Sequence, residues 1–370
     1  MISILGAFVI SWLLGFWILR YQNLHTRFTA DHDLMGVQKF HVRAVPRIGG
    51  LAIFCGALAG LGFASFGGAQ ALSLHSVAIA AAAPVFIAGL AEDLTKKVSV
   101  RVRMASACIS ALLGAYWLNA WLVDVQFLGL DHLLAIPLFS ILFTCFALAG
   151  VTNAFNLIDG YNGLASMVAV IIFCALAYVA YRVDDVALGF FCLVAVGAVI
   201  GFLFWNYPRG LFFLGDGGAY LLGFWVALCS LLLVVRNPEV SKWFPLLLCI
   251  YPVFETIFTM YRRIVLRKRS ASQPDAVHLH QIIYRRAVRF GYQPLHDADF
   301  IKRNSMTSPY LWFLASVGAL PAILFWDTKA ALQLFVVVFM MLYLWIYWAI
   351  VRFRIPRFMI LRLSTKSINR

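Results

Sequence analysis

Residues 186–235 read VALGFFCLVAVGAVIGFLFWNYPRGLFFLGDGGAYLLGFWVALCSLLLVV. Two apolar runs, 186–205 and 217–235, flank one short polar link that holds Arg209 and Asp216. Each run is long enough for a helix to cross a bilayer, which takes about 20 apolar residues. The chain repeats this arrangement throughout. Eleven such stretches are expected, near 2–19, 48–66, 74–91, 104–122, 132–151, 163–181, 186–205, 217–235, 243–261, 309–326 and 330–351. Pro137 interrupts the fifth.

Composition agrees. Of 370 residues, 63% are hydrophobic and 12% charged, and mean hydropathy is +0.86. So few charges cannot coat a water-soluble surface, whereas lipid requires no such coat. One integral membrane domain, residues 1–370, with an all-α polytopic fold is therefore expected. The seven cysteines all fall inside apolar stretches without a CxxC pair, which reads as small buried hydrophobes.

The net charge of +14 is distributed unevenly between alternate loops. One set carries Arg20, Arg27, Lys39, Arg43, Arg47, Lys96, Lys97, Arg101, Arg103, the 262–269 cluster and the C-terminal arginines. The other set holds only Arg182, Arg236, Lys242 and Lys329. The positive-inside rule places the first set in the cytoplasm, with the N-terminus outside and the C-terminus inside. This asymmetry accounts for the basic charge without nucleic acid.

The same loops hold the polar groups able to do chemistry. Lys39 and Arg47 flank the turn before the second stretch and suit phosphate, or simply anchor that side. Glu92 and Asp93 end the third stretch, with Lys96 close by on the same helical face. An adjacent acidic pair can hold Mg²⁺ or poise one carboxylate as a base. Asn153, Asn156 and Asp159 follow at intervals of three, then Gly160, Asn162 and Gly163. Amides beside a carboxylate suit a uracil edge or a metal–phosphate shell. Asn206 ends the seventh stretch, and Asp216 sits in a glycine run at a helix start, where backbone N–H groups and a metal can meet phosphate. His278 and His280 precede Arg285 and Arg286. Two histidines without further ligands do not make a zinc site, and beside arginines they suit pyrophosphate. The acidic residues lie at stretch ends and the interiors read as apolar. That pattern weighs against a transporter or flippase, whose polar groups gather near the bilayer midplane.

The segments PRIGG (46–50), EDLTK (92–96), NAFNLIDGYNGLA (153–165), NYPRGLFFLGDGGAYLLG (206–223) and HLH (278–280) together resemble the polyprenyl-phosphate N-acetylhexosamine-1-phosphate transferases, glycosyltransferase family 4. Their order and spread over residues 20–290 carry the resemblance. It implies a bacterial inner-membrane enzyme with a cytoplasmic active site. That enzyme would move a sugar-1-phosphate, most simply GlcNAc-1-phosphate, from a UDP-sugar to undecaprenyl phosphate, releasing UMP and initiating a surface polysaccharide. QuiNAc, FucNAc, GalNAc and MurNAc-pentapeptide donors are the alternatives, and a homodimer is allowed. By the same resemblance, Mg²⁺ (or Mn²⁺) would bind Asp216 and Asp159. Glu92, Asp93, Lys96 and Asp159 would be catalytic. Lys39, Arg47, Asn153, Asn156, Asn162, Asn206, Phe213, His278, His280 and Arg285 would bind substrate. Two positions depart from the family pattern: Glu92 replaces an aspartate, and Asn162 stands where an acid is usual.

Overall fold

The computed structural model describes residues 1–29, 45–64, 69–127, 129–266, 277–290, 297–354 and 360–363. Lys39 lies outside them. The helices are α1 (Ile2–Arg20), α2 (Gln22–Thr29), α3 (Gly49–Ala64), α4 (Ala69–Thr95), α5 (Val100–Trp117), α6 (Leu130–Leu134), α7 (Pro137–Ile158) and α8 (Leu164–Arg182). They continue with α9 (Val186–Asn206), α10 (Gly215–Arg236), α11 (Phe244–Leu248), α12 (Ile250–Tyr261), α13 (Leu279–Arg286), α14 (Asp297–Leu324) and α15 (Lys329–Val351). A π-helical turn, Arg262–Leu266, follows α12. Two three-residue strands, β1 (Val288–Phe290) and β2 (Leu361–Leu363), pair in parallel beside α13.

Every expected stretch falls on helix. Eight described helices, α1, α4, α7, α8, α9, α10, α14 and α15, are long and apolar enough to cross a membrane. The chain is thus a multi-pass membrane protein. The other three stretches differ for local reasons. The second forms the 16-residue α3. The fourth, α5, spends its first turn on Arg101 and Arg103. The ninth breaks at Cys249 into α11 and α12. Pro137 does not interrupt the fifth span but begins it, at the first position of α7, where its missing N–H costs nothing.

α10 is the central helix. Every residue from Gly215 to Val234 is buried, and α3, α4, α5, α7, α8 and α9 surround it. A helix apolar on all sides is driven to such a position. Small residues let the neighbours approach closely, since without a hydrophobic force between helices in lipid, packing supplies the attraction. A Cβ on Gly50 of α3 would stand 2.4 Å from the Gly218 nitrogen of α10. This contact places the start of α10 against the ends of α3 and α4, and there the polar residues gather.

Candidate active site

The expected polar segment around Asn153, Asn156 and Asp159 is largely helix. α7 runs on to Ile158, so Asn153 and Asn156 lie on its last turns and Asp159 caps its C-terminus. The glycine-rich link likewise becomes the first turn of α10, with Asp216 at its second residue. No side chain of α10 itself caps that turn. Asp93, at the end of α4, does so from outside. Its Oδ1 accepts from the Asp216 N–H at 2.9 Å and its Oδ2 from the Gly217 N–H at 2.8 Å. Gly215 has φ +75, and a Cβ there would lie 2.5 Å from the Asp93 carboxylate, so glycine permits the approach.

Two arginines hold the Asp216 side chain. Arg47 Nη2 donates to Oδ1 at 3.2 Å, and Arg103 Nη1 donates to Oδ2. Arg47 Nε also lies 3.6 Å from Asp93. Arg103 stands in the first turn of α5 because Ser99 caps that helix, accepting from the Val102 N–H. Asp159 is half-buried, and among the described residues its carboxylate has no hydrogen-bond partner. Burial pushes its carboxyl up to about 7; Arg47 opposes this, and the carboxylates of Asp216 and Asp93 add to it.

A single cavity of about 1060 Å³ collects most of the expected residues: Arg47, Asn153, Asn156, Asp159, Asn162, Asn206, Phe213, His278 and His280 all line it. Arg103 lines it as well. From this polar end the cavity continues as an apolar groove between α5, α7, α10 and α12, past Met104, Phe146, Val151, Leu231, Val253 and Ile257. Glu92, Asp93, Lys96, Asp216 and Arg285 are not among the lining residues, although Arg47 and Arg103, which hold Asp216, are. Glu92 Oε2 accepts from the Val98 N–H at 2.7 Å and closes the α4–α5 link. Lys96 and Arg285 are exposed.

Several amides act as struts. Asn162 is buried; its N–H donates to Asn304 Oδ1 at 2.9 Å, its Nδ2 donates to the Pro208 carbonyl at 3.0 Å, and its carbonyl accepts from the Ser308 hydroxyl at 2.6 Å. Asn206 Oδ1 accepts from the Gly163 N–H at 2.6 Å, and its Nδ2 donates to the Phe212 carbonyl at 2.9 Å. Asn153 bonds back to the Ala149 carbonyl within α7. Asn156 alone of these amides has a side chain with no protein partner among the described residues. The Asn162 carboxamide explains the absent acid at that position, because an ionised carboxylate could not donate to the Pro208 carbonyl.

His278 and His280 stack with ring centroids 5.2 Å apart. His280 packs edge-on to Tyr161, and its Nε2 lies beside Gly160. Burial, with the neighbouring His278 ring, lowers the His280 pKa to about 3, against the opposing pull of Glu255.

Sequence reasoning counted Arg103 only as an anchoring charge and missed Glu255, Asn304 and Ser308. Glu255 also corrects the reading of clean span interiors, since it sits within the ninth stretch, fully buried. A lone carboxylate in an apolar run was its signal. Asn304 and Ser308 gave none, because polar residues before a span are common.

Would this constellation hold a divalent cation? Among the described residues no group of three or more acidic, histidine or cysteine side chains is placed to hold a metal ion by itself. Mg²⁺ needs none, as it is usually held by one or two carboxylates together with substrate phosphates. The unpartnered Asp159, raised first by burial and then by the carboxylates of Asp216 and Asp93, would together with Asp216 supply such a donor set, and a cation would relieve their repulsion.

Residues 75–234 match the family model of Glycosyl transferase family 4. Over 351 residues the chain is 28% identical to the probable undecaprenyl-phosphate N-acetylglucosaminyl 1-phosphate transferase of Bacillus subtilis, covering 93% of this chain and 91% of that protein. It is 28% identical to the undecaprenyl-phosphate alpha-N-acetylglucosaminyl 1-phosphate transferase of Thermotoga maritima, covering 74% and 80%. A phospho-N-acetylmuramoyl-pentapeptide-transferase of Clostridium perfringens is 42% identical, over 26% of this chain and 30% of its own length.

Proposed function

We propose that this chain, whose residues 75–234 match the family model of Glycosyl transferase family 4, transfers N-acetylglucosamine-1-phosphate from its UDP-sugar to undecaprenyl phosphate, with its site facing the cytoplasm of a bacterial inner membrane. The product, a lipid-linked sugar pyrophosphate, would begin a surface polysaccharide. One observation carries this reading: the cavity joins a polar, cationic end to an apolar groove running beside α10. Such a shape suits a reaction between a water-soluble nucleotide and a lipid phosphate. The names of the long-covering relatives favour GlcNAc; the pentapeptide transferase matches over only 26% of this chain and carries less weight for the sugar.

The chemistry asks the protein mainly for position and charge neutralisation. An oxygen of the lipid phosphate attacks the β-phosphorus of the UDP-sugar; the bond from that phosphorus to the UMP oxygen breaks, and UMP departs. The attacking phosphate has a second pKa of about 6 and is largely ionised near neutrality, so no strong base is required. Asp93 agrees, since both its oxygens are committed to backbone N–H groups and serve to orient α10. Arg47 and Arg103 bring positive charge to the Asp216 end of the cavity. Asp159 and Asp216 would hold Mg²⁺, which when bound would neutralise diphosphate charge. Asn156 is free to hydrogen-bond the nucleotide or sugar.

The test is UMP release by purified enzyme from a panel of UDP-sugars, with and without undecaprenyl phosphate, Mg²⁺ and chelator. Lipid- and Mg²⁺-dependent release, fastest with UDP-GlcNAc, is expected. Release without lipid acceptor, or from no UDP-sugar, overturns the proposal.

A further inference from the structure

Glu255 lies in an otherwise apolar helix with no solvent exposure. Tyr343 Oη donates to its Oε2 at 2.6 Å. Its Oε1 accepts from the Leu279 N–H at 3.2 Å, meets His278 Nδ1 at 3.2 Å, and takes a longer contact from the Thr259 hydroxyl. A buried carboxylate needs a compensating cation as well as hydrogen bonds. His278 is a basic group within ion-pair distance of it, Nδ1 lying 3.2 Å from Oε1.

With Nδ1 turned to Glu255, Nε2 occupies the far edge of the His278 ring, and His278 lines the cavity. Two more nitrogens on cavity-lining residues are buried and unpartnered: Nδ1 of His280 and Nη2 of Arg263, in the π-helical turn. Unsatisfied buried donors are rare in native structures and call for a partner. Arg47 and Arg103 belong to the Asp216 end of the cavity, whereas these three groups come from the first turn of α13, its N-cap and the turn after α12.

We propose that Glu255 is a positioning residue that fixes the His278 ring through Nδ1, with Nε2 presented to the cavity. With Arg263 and His280 it thereby builds a second anion subsite, which takes a phosphate group of one of the two substrates. This inference rests on the transferase reading, in which two phosphate-bearing substrates must be held side by side despite their repulsion.

The experiment measures KM and kcat for UDP-GlcNAc and for undecaprenyl phosphate separately, in wild type, Glu255→Gln, His278→Gln and the double variant. Glu255→Gln should raise KM for one substrate about tenfold, leave the other within about twofold, and lower kcat less than KM rises. Whichever KM moves identifies the phosphate as the donor's or the acceptor's. In the His278→Gln background, Glu255→Gln should add nothing further to KM, as expected when one residue acts through the other. If Glu255→Gln alone does not fold, the double variant, which leaves no unpaired buried charge, must still show the raised KM. Unchanged KM values, or the same added factor in both backgrounds, overturn the subsite while leaving the transferase intact. No UMP release by the wild-type enzyme overturns the transferase reading itself.

Discussion

Asp93 and Asp216 are bound to each other through the backbone: the Asp93 carboxylate takes the Asp216 N–H at 2.9 Å and the adjacent Gly217 N–H at 2.8 Å. One acid of the Glu92–Asp93 pair that ends α4 is thus the N-terminal cap of the helix that carries Asp216. Asp93→Asn leaves one acceptor oxygen for two donors and turns an NH₂ toward an N–H. It should cost about 1–3 kcal/mol of stability, the usual penalty for an unsatisfied buried donor. Activity should fall with it, because α10 and Asp216 shift together. Thermal unfolding in detergent alongside UMP release checks this. A variant with unchanged unfolding and abolished turnover would assign Asp93 to the chemistry instead.

Asn162→Asp distinguishes a strut from a metal ligand. The aspartate cannot donate to the Pro208 carbonyl, which Asn162 Nδ2 reaches at 3.0 Å. Loss of that bond from a buried site should reduce UMP release about tenfold, equivalent to about 1.4 kcal/mol. Higher activity with tighter Mg²⁺ dependence would show that the position takes a metal when given an acid.

Gly50→Ala probes a close approach between α3 and α10. Its Cβ would meet the Gly218 nitrogen at 2.4 Å and the Gly218 Cα at 2.6 Å, both backbone atoms that cannot rotate away. Overpacking of this kind costs about 1–3 kcal/mol. The thermal midpoint should drop, and activity with it, since the displaced element carries Asp216.

His280 sets a pH dependence of stability. Burial first, and then the His278 ring, hold its pKa at about 3, below the ordinary histidine value. Above about pH 6.5 neither the folded nor the unfolded chain protonates it, and its contribution is flat. As pH falls from there toward 3, the unfolded chain gains a proton that the folded one does not. Stability therefore declines, by up to about 1.4 kcal/mol per pH unit. Unfolding midpoints of wild type and His280→Phe across pH 4 to 8 should converge at the acid end, by about that slope. Parallel profiles would show that His280 does not carry the effect.

Local pattern determined much of this protein. Apolar runs such as 186–205 and 217–235 become membrane-spanning helices wherever they fold, because their length and composition match a bilayer and a helix satisfies its own backbone. The residue types around Asn156, Asp159, Asp216 and His278 were legible for the same reason: polar groups beside apolar runs are costly and stand out. Tertiary structure decided the roles. Asp93 and Asp216 are 123 residues apart, Asn162 and Asn304 142, and Glu255 and Tyr343 88. No local period links such pairs. Only the packing of α10 among its neighbours turns one acid of the Glu92–Asp93 pair into a helix cap and leaves the other closing the α4–α5 link. The same packing makes Asn162 a strut through a donor that an acid lacks. It also buries Glu255 against His278, where a carboxylate within an apolar span finds the partner that makes its burial tolerable.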